Sequence, residues 1–112
     1  MIRIALAAAL LAAPAYASEA KEQSCKYQGR VMAAVQQARL DRVKQEEVEQ
    51  VILDSEPEWP ETYSKAIPQL TSHVYAMKRR DLKDADLGAL FEEQCLQNWD
   101  QIQAMQKQLK SN

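Results

Sequence analysis

Apolar residues recur every three or four positions along most of this chain, which is the spacing of one face of a helix. Tyr27, Val31 and Val35 follow this spacing and predict a first helix over 24–40. The phase of the pattern changes at Asp41, where we predict a bend or a cap, and a second helix follows over about 45–54. A single kinked helix through both stretches is the alternative.

Prolines organise the middle of the chain. Pro57 ends the second helix, and Pro60 suits the first position of the third segment. The apolar pattern of that segment passes through Pro68, and proline lacks a backbone donor and clashes one turn back. We therefore predict a kink or an interruption near 64–67, and an end at 78–81.

The last predicted helix runs from about Asp84 to Lys110. The residues that mark its apolar face are Leu87, Leu90, Phe91, Cys95, Trp99, Ile102, Met105 and Leu109. The chain has only two glycines and no alternating stretch that is typical of a strand. The predicted fold is all-α: a small three- to four-helix bundle cross-linked by one disulfide and preceded by a cleaved signal peptide.

Residues 1–17 have the pattern of a secretory signal peptide. One arginine precedes an apolar run, and Ala15-Tyr16-Ala17 is a small-x-small cleavage site. The run is shorter than the roughly 20 apolar residues that span a bilayer. Cleavage would leave residues 18–112 as one helical domain with no integral membrane segment, which we expect in the periplasm or outside the cell.

An oxidising compartment predicts a disulfide between Cys25 and Cys95, the two cysteines of the chain. The bond would close a loop of 71 residues. The chain-entropy relation gives such a cross-link about 4.4 kcal/mol of stabilisation.

Charge argues against nucleic acid as a partner. The processed chain has 13 basic and 16 acidic side chains, whereas nucleic-acid-binding proteins usually have a basic excess. The charges are segregated: residues 44–62 have a net charge of −6, from seven acids against Lys44, and residues 63–83 have a net +4, from five bases against Asp81. These stretches either steer a charged partner or align a homodimer, or they form ordinary surface ion pairs with each other.

Candidate catalytic groups are scarce. His73 is the only histidine, and the disulfide would use both cysteines. The acidic residues around Trp59 lack the spacing of a calcium loop and are expected to be a solvated linker; they are Asp54, Glu56, Glu58 and Glu61. Trp59 itself is expected to fold over the core, with ligand stacking as the alternative. We expect no catalytic residues, no cofactor and no metal.

The strongest partner-binding candidates follow Cys95. Seventeen residues follow this cysteine, whereas seven residues of the processed chain precede Cys25. The residues Trp99, Ile102, Met105 and Leu109 are called the tail stripe here. If the last helix runs antiparallel to the first, the tail stripe is an exposed apolar seam; if the two run parallel, it is core.

Several segments of the chain resemble a group of short exported proteins from proteobacteria, mostly alphaproteobacteria. These segments are Cys25-Lys26-Tyr27, Gln37-Ala38-Arg39-Leu40-Asp41-Arg42, Trp59-Pro60-Glu61-Thr62-Tyr63, Ala66-Ile67-Pro68, Val74-Tyr75, Gln94-Cys95-Leu96 and Asn98-Trp99. The resemblance implies export to the periplasm of a Gram-negative bacterium and implies no activity. The layout of the chain is also similar to that of periplasmic acid-stress chaperones and of small immunity proteins that neutralise type VI secretion effectors.

These observations favour a non-enzymatic protein-binding module, of inhibitor or immunity type, that binds another periplasmic or secreted protein through the tail stripe. The alternative is an acid-stress chaperone, because 16 carboxylates would lose their charge below about pH 4. An enzyme is the remote third hypothesis.

Overall fold

In a computed structural model, the described backbone covers residues 12–111 and is helical, which confirms the all-α prediction. Its five α-helices are α1 (Ala12–Leu40), α2 (Val48–Asp54), α3 (Ile67–Tyr75), α4 (Arg79–Lys83) and α5 (Leu87–Ser111). Two 3₁₀ segments, Gln45–Glu47 and Glu61–Ala66, precede α2 and α3. The predicted signal peptide falls on residues 1–17, of which 1–11 lie outside the described residues, so it stays a prediction.

A left-handed residue ends α1. Arg42 has φ 65°, the N–H of Val43 donates to the carbonyl of Ala38 at 3.0 Å, and the N–H of Arg42 donates to that of Arg39 at 3.1 Å. This pair of bonds is the Schellman motif, which satisfies carbonyls at a helix end and turns the chain. The predicted bend at Asp41 is confirmed, and the first two helices are separate.

The predicted interruption before Pro68 is also confirmed. A 3₁₀ segment ends at Ala66, and Pro68 lies in the first turn of α3, where its missing N–H costs little. Residues 78–81, which we expected only to end the third segment, instead lead into α4. Sequence reasoning missed this short helix, so residues 12–111 contain five α-helices rather than the predicted three or four.

The helices α1 and α5 run antiparallel. Gln36 of α1 contacts the chain that enters α5, Gly29 meets Gly88, and Cys25 is bonded to Cys95 with a Cα–Cα distance of 5.5 Å. Residues with increasing numbers along α5 therefore contact residues with decreasing numbers along α1. This confirms the predicted disulfide and identifies the antiparallel alternative as the right one.

The hydrophobic core lies at one end of this helix pair. The short helices α2, α3 and α4 pack on the C-terminal half of α1; the core residues are Val31, Met32, Val35, Ala38, Val48, Ile52, Ile67, Val74 and Leu82. We call this end the head. The stalk is the rest of the pair: α1 before Cys25 and α5 after Cys95. The molecule is accordingly elongated, with extents of 66 × 36 × 26 Å.

The two glycines of the chain face each other where α1 and α5 cross. A Cβ atom on Gly88 would lie 2.8 Å from the carbonyl oxygen of Gly29 and 2.9 Å from the Cβ of Ala33. A Cβ on Gly29 would lie 2.7 Å from the carbonyl oxygen of Gly88. These backbones approach so closely that only glycine fits, one turn from the disulfide along α1 and two turns from it along α5.

Replacing Gly88 by alanine is expected to lower the free energy of unfolding by about 1–2 kcal/mol. Forcing the helices apart costs roughly 2–3 kcal/mol, the upper part of the usual range, because the contacted atoms include a backbone carbonyl, and the better helix propensity of alanine offsets about 1 kcal/mol of that. Denaturant unfolding of the oxidised protein measures the change. Ala89→Gly, at the next and exposed position, calibrates the propensity effect. A Gly88→Ala variant as stable as the parent would contradict the close packing.

Candidate protein-binding surfaces

The tail stripe begins on the face of α5 that points at α1. Trp99 and Ile102 lie four and seven residues after Cys95, so they share the face that carries the disulfide. Both side chains are half-buried there. Met105 is 58% exposed, and the side chain of Leu109 lies outside the described residues.

Met105 belongs to a different face of α5. It follows Leu87 by 18 residues, which is about five helical turns, and therefore lies in line with Leu87 and close to Leu90 around the helix. Of the described tail-stripe side chains, Trp99 and Ile102 face α1, whereas Met105 lies about 80° around the helix from Cys95, on the flank of the α1-facing side. These three residues therefore do not share one narrow face.

The register of the two long helices decides what covers the tail stripe. Cys25 and Cys95 lie level, and both helices rise about 1.5 Å per residue. Ser18 is therefore level with Ile102, and residues 12–17 of α1 run beside residues 103–108 of α5. Trp99 is level with Lys21, so the predicted cleavage after Ala17 would keep α1 beside Trp99 and Ile102 and would remove only the part level with residues 103–108.

A second surface, a groove between α3 and α5, was not predicted from the sequence. Both helices pack on α1 but contact each other much less. The gap has a volume of ≈ 470 Å³, and its lining residues are Met32, Ala66, Gln69, Leu70, His73, Leu87, Leu90, Phe91 and Gln94. The apolar periodicity of both helices did identify these leucines, but as core, because it gives no sign that the two helices diverge.

Trp59 lies where the sequence predicted, half-buried against the core. Its indole Nε1 donates to the Ser64 hydroxyl at 2.8 Å, which fixes the loop to the 3₁₀ segment before α3. The ring therefore serves packing.

The segregated charges do not pair with each other. In the described part of the chain one ion pair is present, between Arg30 and Glu58 at 3.5 Å, and the Glu58 side chain is strongly exposed. The acidic stretch packs on both α1 and α3, but no ion pair joins it to the basic stretch 63–83, so the alternative of mutual surface ion pairs is wrong for the described residues.

The basic residues Lys78, Arg79 and Arg80, called the basic corner here, are a further candidate for the partner-binding surface from the sequence, but they lie far from the tail stripe. The basic corner precedes or begins α4, and the neighbouring carbonyl of Met77 accepts a hydrogen bond from Arg39 at 3.3 Å. Arg39 is 14 residues from Cys25 along α1, which is about 21 Å. The corner and the tail stripe therefore belong to opposite ends of the molecule.

Other site chemistry is sparse in what the structure describes. His73 is exposed on α3, at the edge of the groove. Across residues 12–111, no group of three or more His, Cys, Asp or Glu side chains is arranged to hold a metal ion. Nor does any helix in this range combine the length and the apolar character needed to cross a membrane.

Comparison with known proteins gives no relative: no family model, no curated protein and no solved structure matches this chain.

Proposed function

We propose that this chain is an exported, non-enzymatic protein-binding module of inhibitor or immunity type, which acts in the periplasm. Its partner is another periplasmic or secreted protein, and its contact surface is the α1-facing side of the α5 stalk. The antiparallel register of α1 and α5 is the observation that carries this proposal.

Processing would uncover the outer end of this surface, beyond Ile102. After cleavage at Ala17, α1 begins level with Ile102, and residues 103–111 of α5 extend about 14 Å further with no helix beside them. Trp99 and Ile102 then lie at the edge of the remaining cover. Tryptophan is enriched among the residues that dominate binding energy, and an apolar helix face suits an apolar groove on a partner.

The base of the stalk is rigid, which suits a fixed contact surface. The disulfide joins Cys25 to Cys95, and the contact between Gly29 and Gly88 holds the two helices close together on the head side of the disulfide. A surface whose conformation is already fixed before binding loses less conformational entropy on association. This property supports an inhibitor or immunity role over one that requires refolding.

Replacing Trp99 by alanine is expected to weaken partner binding by about 30-fold, which corresponds to a hot-spot loss of about 2 kcal/mol. The measurement is a crosslinked pull-down from periplasmic extract of the native host with residues 18–112 as bait, read by quantitative mass spectrometry. Val51→Ala, at an exposed position on α2 in the head, is the matched control. Equal recovery by the Trp99 variant and the control would refute the proposed surface.

A second bait tests the role of processing. A chain that starts at Ala12 keeps residues 12–17 beside residues 103–108 and should recover less of the same partner than residues 18–112 do. Equal recovery by both baits would show that exposure of this face is not required.

The acid-stress chaperone is the alternative proposal, and no feature of residues 12–111 favours it over the binding module. Protection of an aggregating client near pH 3 would support it, and absence of protection there would end it.

A further inference from the structure

One face of α5 carries no charge along its described length. Leu87, Leu90, Phe91, Gln94, Gln101 and Met105 lie within an arc of about 100° around the helix. The charged side chains described on α5 lie outside that arc; they are Glu92, Glu93, Asp100 and Lys107. In a chain with 27% charged residues, such a face is unusual.

The groove continues this uncharged face. None of its lining residues is Asp, Glu, Lys or Arg, and its floor is the buried Met32 of α1. It runs along α5 from Leu87 to Gln94, which is two helical turns, or about 10 Å. Its dimensions therefore suit a short uncharged segment of helix.

We propose that a second copy of the chain covers this face, with the two α5 helices packed antiparallel about a two-fold axis that passes between Gln97 and Asn98. Leu90 of each copy then lies opposite Met105 of the other, because both are about 11 Å from the axis. Gln94 likewise lies opposite Gln101, where two amides can bond to each other.

The exposed side chains fit this register. Leu90 is 51% and Met105 is 58% exposed, and no other large apolar side chain on the described part of α5 is as exposed. The two-fold symmetry creates the contact between Leu90 and Met105 twice, so both side chains of both copies are buried. Each Met105 enters the groove of the partner beside Leu90 and Leu70, over Met32.

The absence of charge favours a second copy as the occupant. In a two-fold interface each face meets an identical face, so any net charge on it would repel itself. This face has no charge. When the second helix runs in the opposite direction, leucine meets methionine and glutamine meets glutamine. The interface does not use Trp99, so it is independent of the proposed partner-binding surface.

Sedimentation equilibrium of oxidised residues 18–112 tests the proposal and should show a concentration-dependent dimer. Leu90→Lys or Met105→Glu alone should raise the dimer dissociation constant by roughly 100-fold or more, because each buries an unpaired charge. The double variant should recover the dimer, because the reversed register places the two new opposite charges next to each other. Val51→Glu on α2 is the control, and circular dichroism checks that each variant folds.

A strict monomer at every concentration would overturn the proposal, and so would a dimer that withstands Met105→Glu. Failure of the double variant to recover the dimer, when each single change disrupts it, would overturn the antiparallel register. Trp99→Ala should leave the dimer intact while it weakens partner recovery. A dimer lost with Trp99→Ala would assign the interface to the α1-facing side instead.

Discussion

Loss of the disulfide is expected to lower the free energy of unfolding by about 4 kcal/mol, the largest effect of any single change proposed for this protein. The bond joins residues separated by 70 positions, and so it removes much of the freedom of the unfolded chain. Both half-cystines are buried, and the hydrophobic core lies in the head, on one side of the bond. The cross-link therefore holds together the part of the α1–α5 pair that has least core.

The Cys25→Ala, Cys95→Ala double variant, compared with the oxidised parent by denaturant unfolding, measures this loss. Hydrogen exchange adds a spatial check: amides of α5 after residue 95 should lose protection more than those of α2 and α3. The parent chain, once its disulfide is reduced in reducing buffer, should behave like the double variant. A loss below about 1 kcal/mol would mean that helix packing alone holds the pair.

Replacing Gln36 by leucine is expected to lower the free energy of unfolding by about 2–3 kcal/mol. Gln36 is 8% exposed, and its amide Nε2 donates to the carbonyls of Leu82 at 2.8 Å and Ala85 at 2.7 Å. Its Oε1 accepts the N–H of Leu87 at 3.1 Å, the first residue of α5. One side chain of α1 thus fixes the loop between α4 and α5 and satisfies a free donor at a helix start.

Leucine has nearly the same size as glutamine, so this substitution removes the hydrogen bonds with little change in packing. The carbonyl of Leu82 retains the N–H of Asp84 as a donor, whereas the carbonyl of Ala85 and the N–H of Leu87 would be left without the bonds that Gln36 makes. Gln37→Leu is the matched control, because Gln37 is exposed and its amide bonds only to Asp41 at 3.0 Å. Thermal unfolding of both variants decides, and equal stability of the two would contradict the proposed role of Gln36.

The disulfide and Gln36 differ in how well the sequence predicts their roles. Cysteine pairing follows from the predicted compartment, because two cysteines in an exported chain have one intramolecular partner each. Nothing in the sequence distinguishes Gln36 from its neighbour Gln37. In the structure, the side chain of Gln36 is buried and makes three hydrogen bonds, whereas that of Gln37 is exposed to solvent. The difference arises from which side of α1 faces α5, and a polar residue on that side gives no apolar signal.

The candidate surfaces show the same division. Periodicity identified Leu90, Trp99, Ile102 and Met105 as apolar positions of one helix, and left open whether the last three are core or surface. The groove beside Leu90 exists because α3 and α5 both pack on α1 without closing on each other. Helix geometry alone places Met105 on that same side, away from Trp99, but only the placement of α1 and α3 shows that this side stays exposed.

The sequence by itself determined the all-α class, the longer helices, the break before Pro68, the turn near Asp41 and the pairing of the cysteines, because each depends on residues within a few positions or on the predicted compartment. Tertiary structure alone decided that α1 and α5 run antiparallel, that Gly29 meets Gly88, and that the stalk extends beyond the core. The physical reason is that helical periodicity is a local property, which reports the apolar side of a helix but not the element that covers it. That covering depends on contacts across about 60 residues of chain, such as the one between Gly29 and Gly88.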